Sequence, residues 1–210
     1  MVQMTEIATL LQKGKAKDVA ALVQQAVEEG ISAETILKEG LLTGMEVIGR
    51  RFRDNEIFVP EVLVAARAMS KGTEVLRPIL AREGATASGK VCIGTVKGDM
   101  HDIGKNLVKM MLEGKGLEVI DLGTDVPAEK FIQTAIEENC QVICCSALLT
   151  TTMPEMELVV KAAINAGIRD KVKIMVGGAP ITQEFADSIG ADAYTDDAAS
   201  AADVAVGFCK

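Results

Sequence analysis

Five short apolar runs, VCIGTV (91–96), LEVIDL (117–122), QVICCSA (141–147), VKIMVGG (172–178) and ADAYT (191–195), recur along the second half of the chain. The segments beside them, near 103–115, 127–139, 153–167, 182–189 and 197–208, carry helical spacing instead. Strands that are apolar throughout and separated by helices of roughly ten to fifteen residues form a parallel sheet covered on both faces. The expectation is an α/β fold with a doubly wound parallel five-stranded sheet, any ligand lying at the carboxyl ends of its strands.

The first half has a different period. Apolar residues recur at helical spacing, without the short β-branched runs that mark strands. A short helix is expected at 3–13. Asp18–Glu29 places Val19, Leu22, Val23 and Val27 on one face and stops at Gly30. Ser32 caps a long helix over Ala33–Arg53, with Ile36, Leu37, Gly40, Leu41, Gly44, Val47 and Ile48 inward, and a further helix runs from Pro60 to Arg82. Together these predict an N-terminal helical bundle. Residues 83–89, EGATASG, are small and read as a linker. The boundary is placed there, giving domains over 1–84 and 85–210.

Composition narrows the function. Apolar residues make up 49% of the 210, as in a folded protein. Met1–Leu10 is too short and polar for a signal segment, and no run of about 18 apolar residues exists, so a cytoplasmic location is expected. With 22 basic against 30 acidic residues, the net charge of −8 repels nucleic acid and anionic lipid. The five cysteines, at 92, 140, 144, 145 and 209, lack metal-site spacing and read as buried, reduced thiols. The chain has one histidine, His101. A metal held here must therefore bring most of its own ligands.

That histidine falls in Gly98-Asp99-Met100-His101-Asp102-Ile103-Gly104, directly after the first strand, where a doubly wound sheet presents ligand-binding groups. Gly98 and Gly104 permit a tight turn and close approach. Asp99 can accept from one ring nitrogen and so leave the other free to ligate a metal. Taken alone, a histidine between aspartates is as readily a solvated loop residue. Two further elements stand on the same edge of the predicted sheet: Ser146-Ala147-Leu148-Leu149-Thr150-Thr151-Thr152 and Gly177-Gly178-Ala179. Each has an ordinary reading as well, the threonines as a helix cap and the glycines as a turn.

Forty-one residues separate Gly104 from Ser146, and twenty-eight separate Leu148 from Gly177. DxHDxG, SxL and GG at these distances resemble the corrinoid-binding signature of methionine synthase, of methylamine and methanol corrinoid proteins, and of cobalamin-dependent mutases. The resemblance implies a Rossmann/flavodoxin-like domain holding a cobamide such as cobalamin or methylcobalamin, base-off and His-on. His101 is then the axial cobalt ligand, Asp99 and Thr152 complete its relay, and threonine stands where methionine synthase has serine. It further implies that Gly98, Met100, Asp102, Ile103 and Gly104 meet the cofactor. Ser146, Leu148, Leu149 and Thr150 line the slot of its nucleotide tail, together with Gly177, Gly178, Ala179, Tyr194 and Ala198.

Upstream, Gly44-Met45-Glu46-Val47-Ile48-Gly49-Arg50-Arg51-Phe52, Phe58-Val59-Pro60-Glu61-Val62-Leu63 and Ala65-Ala66-Arg67-Ala68-Met69 resemble the helical cap of methionine synthase and of the small methyltransferase corrinoid proteins. By that likeness Phe52, Phe58, Val59 and Val62 shield the upper face of the corrin, with Glu39 at its rim; periodicity alone makes them bundle core. The function implied is a methyl carrier between a donor-specific and an acceptor-specific methyltransferase protein, with a reductive activator as a further partner. Three alternatives stand beside it: a subunit of an adenosylcobalamin-dependent mutase, a corrinoid-dependent sensor, and a cofactor-free interaction domain. The first needs a barrel for which the chain has no room, and the second a basic DNA-binding helix that is missing.

Overall fold

A computed structural model describes residues 2–83 and 87–210. The chain divides into two compact units, one holding the described residues up to Glu83 with Gly114–Gly116, the other Ala87–Glu113 and Leu117–Lys210. The expected boundary between residues 84 and 85 lies outside the described residues.

The first unit is helical: α1 (Met4–Gln12), α2 (Ala16–Glu28), α3 (Ala33–Thr35), α4 (Thr43–Arg53) and α5 (Val59–Glu83). Ile7, Leu11, Val19, Val23, Ile36, Leu41 and Val62 are fully buried in it. Ser32 caps α3, its hydroxyl accepting from the Thr35 amide at 3.2 Å, and Gly30 leaves α2 with φ 82°. The single helix expected over Ala33–Arg53 is instead interrupted. Ile36–Leu42 is wound as a π-helix between α3 and α4, and Thr43 donates its hydroxyl to the Lys38 carbonyl five residues back at 3.0 Å. The wider turn shifts the phase of α4. Met45 and Gly49 become buried while Leu37 and Val47 are half-buried. Gly40 and Gly44 do face inward: a Cβ at Gly44 would stand 3.1 Å from the Ala8 carbonyl oxygen of α1.

The second unit alternates strand and helix: β1 (Lys90–Thr95), α6 (Ile103–Gly114), β2 (Glu118–Asp121), α7 (Ala128–Glu137), β3 (Val142–Ser146), α8 (Pro154–Asn165), β4 (Lys173–Gly177), α9 (Gln183–Ile189), β5 (Ala193–Tyr194) and α10 (Ala198–Phe208). The sheet order is β2-β1-β3-β4-β5, and every pairing is parallel. Cys92, Ile143, Cys145, Ile174 and Val176 meet Phe131 of α7, Met156 of α8 and Ala186 of α9 in one core cluster. Chain order reverses between β1 and β3, and such a reversal opens a crevice at the carboxyl ends of those two strands. Register puts Thr95 opposite Ser146 and Ser146 opposite Gly177, so three strand ends stand side by side at that crevice.

Candidate functional site

The His101 loop starts from this edge. Val96 donates to the Ser146 carbonyl at 3.0 Å, and the chain turns through Gly98 at φ 79°. Thr95 holds the far side of the loop, its hydroxyl donating to the His101 carbonyl at 2.7 Å. Between them Asp99 is fully buried, and a carboxylate so placed must be matched by donors. Its Oδ1 takes the His101 amide at 3.0 Å and stands 2.7 Å from His101 Nδ1. Its Oδ2 takes the amides of Leu148 at 2.7 Å and Leu149 at 3.2 Å, and the Thr152 hydroxyl at 2.9 Å. Burial alone would raise the Asp99 carboxyl; the donors from Leu148, His101 and Thr152 outweigh it and hold the group far below the usual carboxylate range.

Asp99 is thus an ionised acceptor, and Nδ1 carries the ring proton toward it. Nε2 keeps its lone pair, on a side chain that is 51% exposed. The arrangement can offer one neutral imidazole nitrogen, in a fixed tautomer, to an electrophilic centre at the sheet edge. The Leu149 carbonyl stands 2.9 Å from the same Thr152 oxygen and is the alternative acceptor for its single proton, and helix α8 has no side-chain cap. The helix-cap reading of the threonine run is therefore set aside, because the Thr152 hydroxyl is committed to Asp99.

The other expected positions lie at or just after the carboxyl ends of β1, β3, β4 and β5. Met100 (70% exposed), Ile103 (78%), Leu148 and Leu149 are four of the ten exposed large apolar residues among those described. An apolar rim at one loop cluster needs an apolar surface to cover it. Asp102 is exposed and accepts from the Asn106 side chain. Thr150 and Ala179 are exposed, Tyr194 is half-buried and Ala198 is buried. The Tyr194 hydroxyl bonds Asp196, which pushes the phenol up.

The glycines separate into two kinds. A Cβ at Gly104 or Gly177 would meet nothing within 4 Å, whereas one at Gly178 would fall 1.8 Å from the Ala147 carbonyl oxygen, at φ 136°. Gly178 is thus required by the neighbouring backbone itself. In the helical unit Glu39 lies exposed on the π-helical stretch, Phe52 and Val59 are half-buried and Val62 is fully buried. Phe58 precedes α5 with 67% of its surface exposed, at a position that favours small polar residues.

Four further residues, two of them in contact with the His101 loop, carry no signal in the sequence. Thr95 is one buried strand residue among several. Asp125 sits in Gly123-Thr124-Asp125-Val126-Pro127, a cluster of turn formers that marks a loop but not its contacts. Lys105 is 2% exposed and pairs with Asp121 at 2.6 Å; no local pattern links residues on a helix and a strand.

Fold and site define a doubly wound α/β protein with one open histidine nitrogen and exposed apolar residues at the carboxyl ends of its strands. A family model described as "B12 binding domain" matches residues 89–204, and a second of the same description matches residues 4–77. Trimethylamine corrinoid protein 1 of Methanosarcina acetivorans is 45% identical over 181 residues, 85% of this chain and 84% of its own. The dimethylamine corrinoid protein of Methanosarcina barkeri is 44% identical over 198 residues, 93% of this chain and 92% of its own. Among solved structures, the methanol:cobalamin methyltransferase complex MtaBC of Methanosarcina barkeri superposes with a TM-score of 0.87 at 33% identity, over 97% of this chain and 78% of that one. A cobalamin-binding protein from Desulfitobacterium hafniense gives a TM-score of 0.81 at 26% identity, over 99% of both chains. The chain belongs to the B12-binding corrinoid proteins.

The residues present fit such a group. A corrin brings four equatorial nitrogens of its own, and among the described residues no cluster of three metal-ligating side chains competes for the metal. Among them too, no helix is long and apolar enough to cross a membrane.

Proposed function

We propose that this protein carries a methyl group on the cobalt of a bound cobamide, between a methyl-donor:corrinoid methyltransferase and a second methyltransferase. The observation that carries the reading is the Asp99–His101 pair on a B12-binding fold, with Nδ1 engaged and Nε2 open. Likeness to trimethylamine, dimethylamine and methanol systems supports the methyl-carrier role. When bound, the cobalt supplies the nucleophile that accepts a methyl group and later releases it.

This chain's own residues bind and orient. His101 would hold the cobalt through Nε2 in place of the cofactor's own base, the base-off, His-on mode. Asp99 holds the Nδ1 proton and so leaves Nε2 free to ligate, and Thr152 keeps the carboxylate from rotating. Ser146, Leu148, Leu149, Thr150, Ala179, Tyr194 and Ala198 line the slot for the displaced tail. Gly177 leaves that slot open, and Gly178 lets the strand ends close up behind it. Met100, Ile103 and their neighbours exclude water from the lower face. In the helical unit the cofactor contacts are Glu39, Phe52, Phe58 and Val59, whereas Val62, expected beside them, is fully buried and packs the bundle instead; the cap and corrinoid domains divide between residues 84 and 85. Donor and acceptor are activated by the two partner enzymes.

The test is an anaerobic visible spectrum after loading with hydroxocobalamin and gel filtration, with His101→Ala treated identically. The wild type is expected to retain corrinoid with a histidine-ligated spectrum that the variant loses. Loss of colour from both proteins, or identical spectra, would overturn the assignment.

A further inference from the structure

We propose that Asp125 is a positioning residue for His101, acting through the main chain of Gly98 and Asp99; this rests on the reading of His101 as the cobalt ligand. Asp125 lies in the loop between β2 and α7 and is held at φ 56°, a left-handed conformation that glycine, asparagine and aspartate adopt more readily than other residues. The conformation is imposed from both sides. Thr95 donates to the Gly123 carbonyl at 2.9 Å, Val126 donates to the Thr95 carbonyl at 3.0 Å, and Val96 bridges Val126.

From that anchored position the loop reaches the residues just before His101. Asp125 Oδ1 accepts from the Gly98 amide at 2.7 Å. The Asp125 amide donates to the Asp99 carbonyl at 3.0 Å. Thr124 Oγ1 approaches Met100 Sδ at 4.0 Å. These contacts land on three consecutive residues.

An aspartate in a turn ordinarily bonds the backbone two or three residues away. Here the partner is 27 residues distant, so the bond fixes one loop against another. Asp99 is gripped at both ends: its carboxylate by the loop after β3, its backbone by Asp125. Without the Asp125 carboxylate on the Gly98 amide the main chain leading into Asp99 is held only at the Asp99 carbonyl, and the Asp99 carboxylate turns with it, carrying the imidazole that hangs on Oδ1. Backbone strain without the bond would favour glycine at this place, and the carboxylate on Gly98 is what an aspartate adds.

The experiment uses the full chain loaded with hydroxocobalamin and reduced to Co(II). Axial nitrogen then splits the electron paramagnetic resonance lines into triplets. Asp125→Gly keeps the backbone and removes the acceptor; Asp125→Asn keeps both; Asp125→Ala removes the acceptor and strains the turn. A lost hydrogen bond to a carboxylate shifts an equilibrium by about tenfold. The expected result is therefore loss of most of the nitrogen-split signal in the Gly and Ala variants and its return in the Asn variant, with Gly98 amide exchange about tenfold faster in the first two only. Nitrogen splitting retained in both Gly and Ala variants, or lost equally in the Asn variant, would overturn the inference alone. Absence of splitting from the wild type would overturn the His101 assignment and this inference with it.

Discussion

At the scale of single residues, the Lys105–Asp121 pair is the most exposed to substitution. Lys105 Nζ is buried and bonds both Asp121 Oδ1, at 2.6 Å, and Asn106 Oδ1, at 2.7 Å. Asp121→Asn leaves a buried ammonium without its counter-charge and should cost about 3 kcal/mol in urea unfolding. Burial would raise the Asp121 carboxyl, but Lys105, the Gly123 amide and Lys109 hold it below its ordinary value. Its contribution to stability is accordingly present above the unfolded carboxylate range near pH ~4 and lost as pH falls through the lowered folded value. Stability measured between neutral and acid pH should fall less steeply in Asp121→Asn; an unchanged slope would count against the pair. Residues of this kind were not legible in the sequence. His101, Asp99 and Thr152 were, because one histidine and a spaced signature single them out, whereas Lys105 on α6 and Asp121 at the end of β2 meet only when helix and strand are packed together.

Among elements, the strand ends at Ser146 and Gly177 divide two functions that the sequence presents as one GG motif. Gly178→Ala drives a Cβ into the Ala147 carbonyl and into a left-handed φ that alanine resists, so it should destabilise by roughly 3 kcal/mol or fail to fold. Gly177→Leu meets open space: urea unfolding is expected within about 1 kcal/mol of wild type, while hydroxocobalamin retention falls. Equal loss of stability in both would refute the division. The helices and strands themselves were readable to within a few residues, since their periods differ. The π-helical stretch was not, because seven residues at five-residue hydrogen bonding leave an apolar pattern that resembles an α-helix with its phase displaced.

For the molecule as a whole, the parallel sheet collects the thiols. Cys92, Cys140, Cys144 and Cys145 are buried and Cys209 is half-buried. Burial pushes Cys144 up to about 12 and Cys145 further, so these remain protonated and unreactive at neutral pH. A thiol reagent should label Cys209 alone in the native protein and all five cysteines in denaturant; rapid native labelling of a second one would mean that the sheet opens. The two-period layout and the parallel sheet could be foreseen from the apolar runs. Strand order could not, since the same runs fit several windings, and it is the β2-β1-β3 order that brings Asp125 and Leu148 to opposite sides of Asp99.

The Asp99 carboxylate takes its donors from the amides of His101, Leu148 and Leu149, the hydroxyl of Thr152 and the imidazole. Four of these five are fixed by the fold before anything is bound. The conformational search of the imidazole is therefore completed when the chain folds, and little entropy is left to lose when a ligand takes Nε2. A ligand that left Nε2 would leave a ring already aimed for its return, so repeated exchange at this position would need no rebuilding of the protein around it.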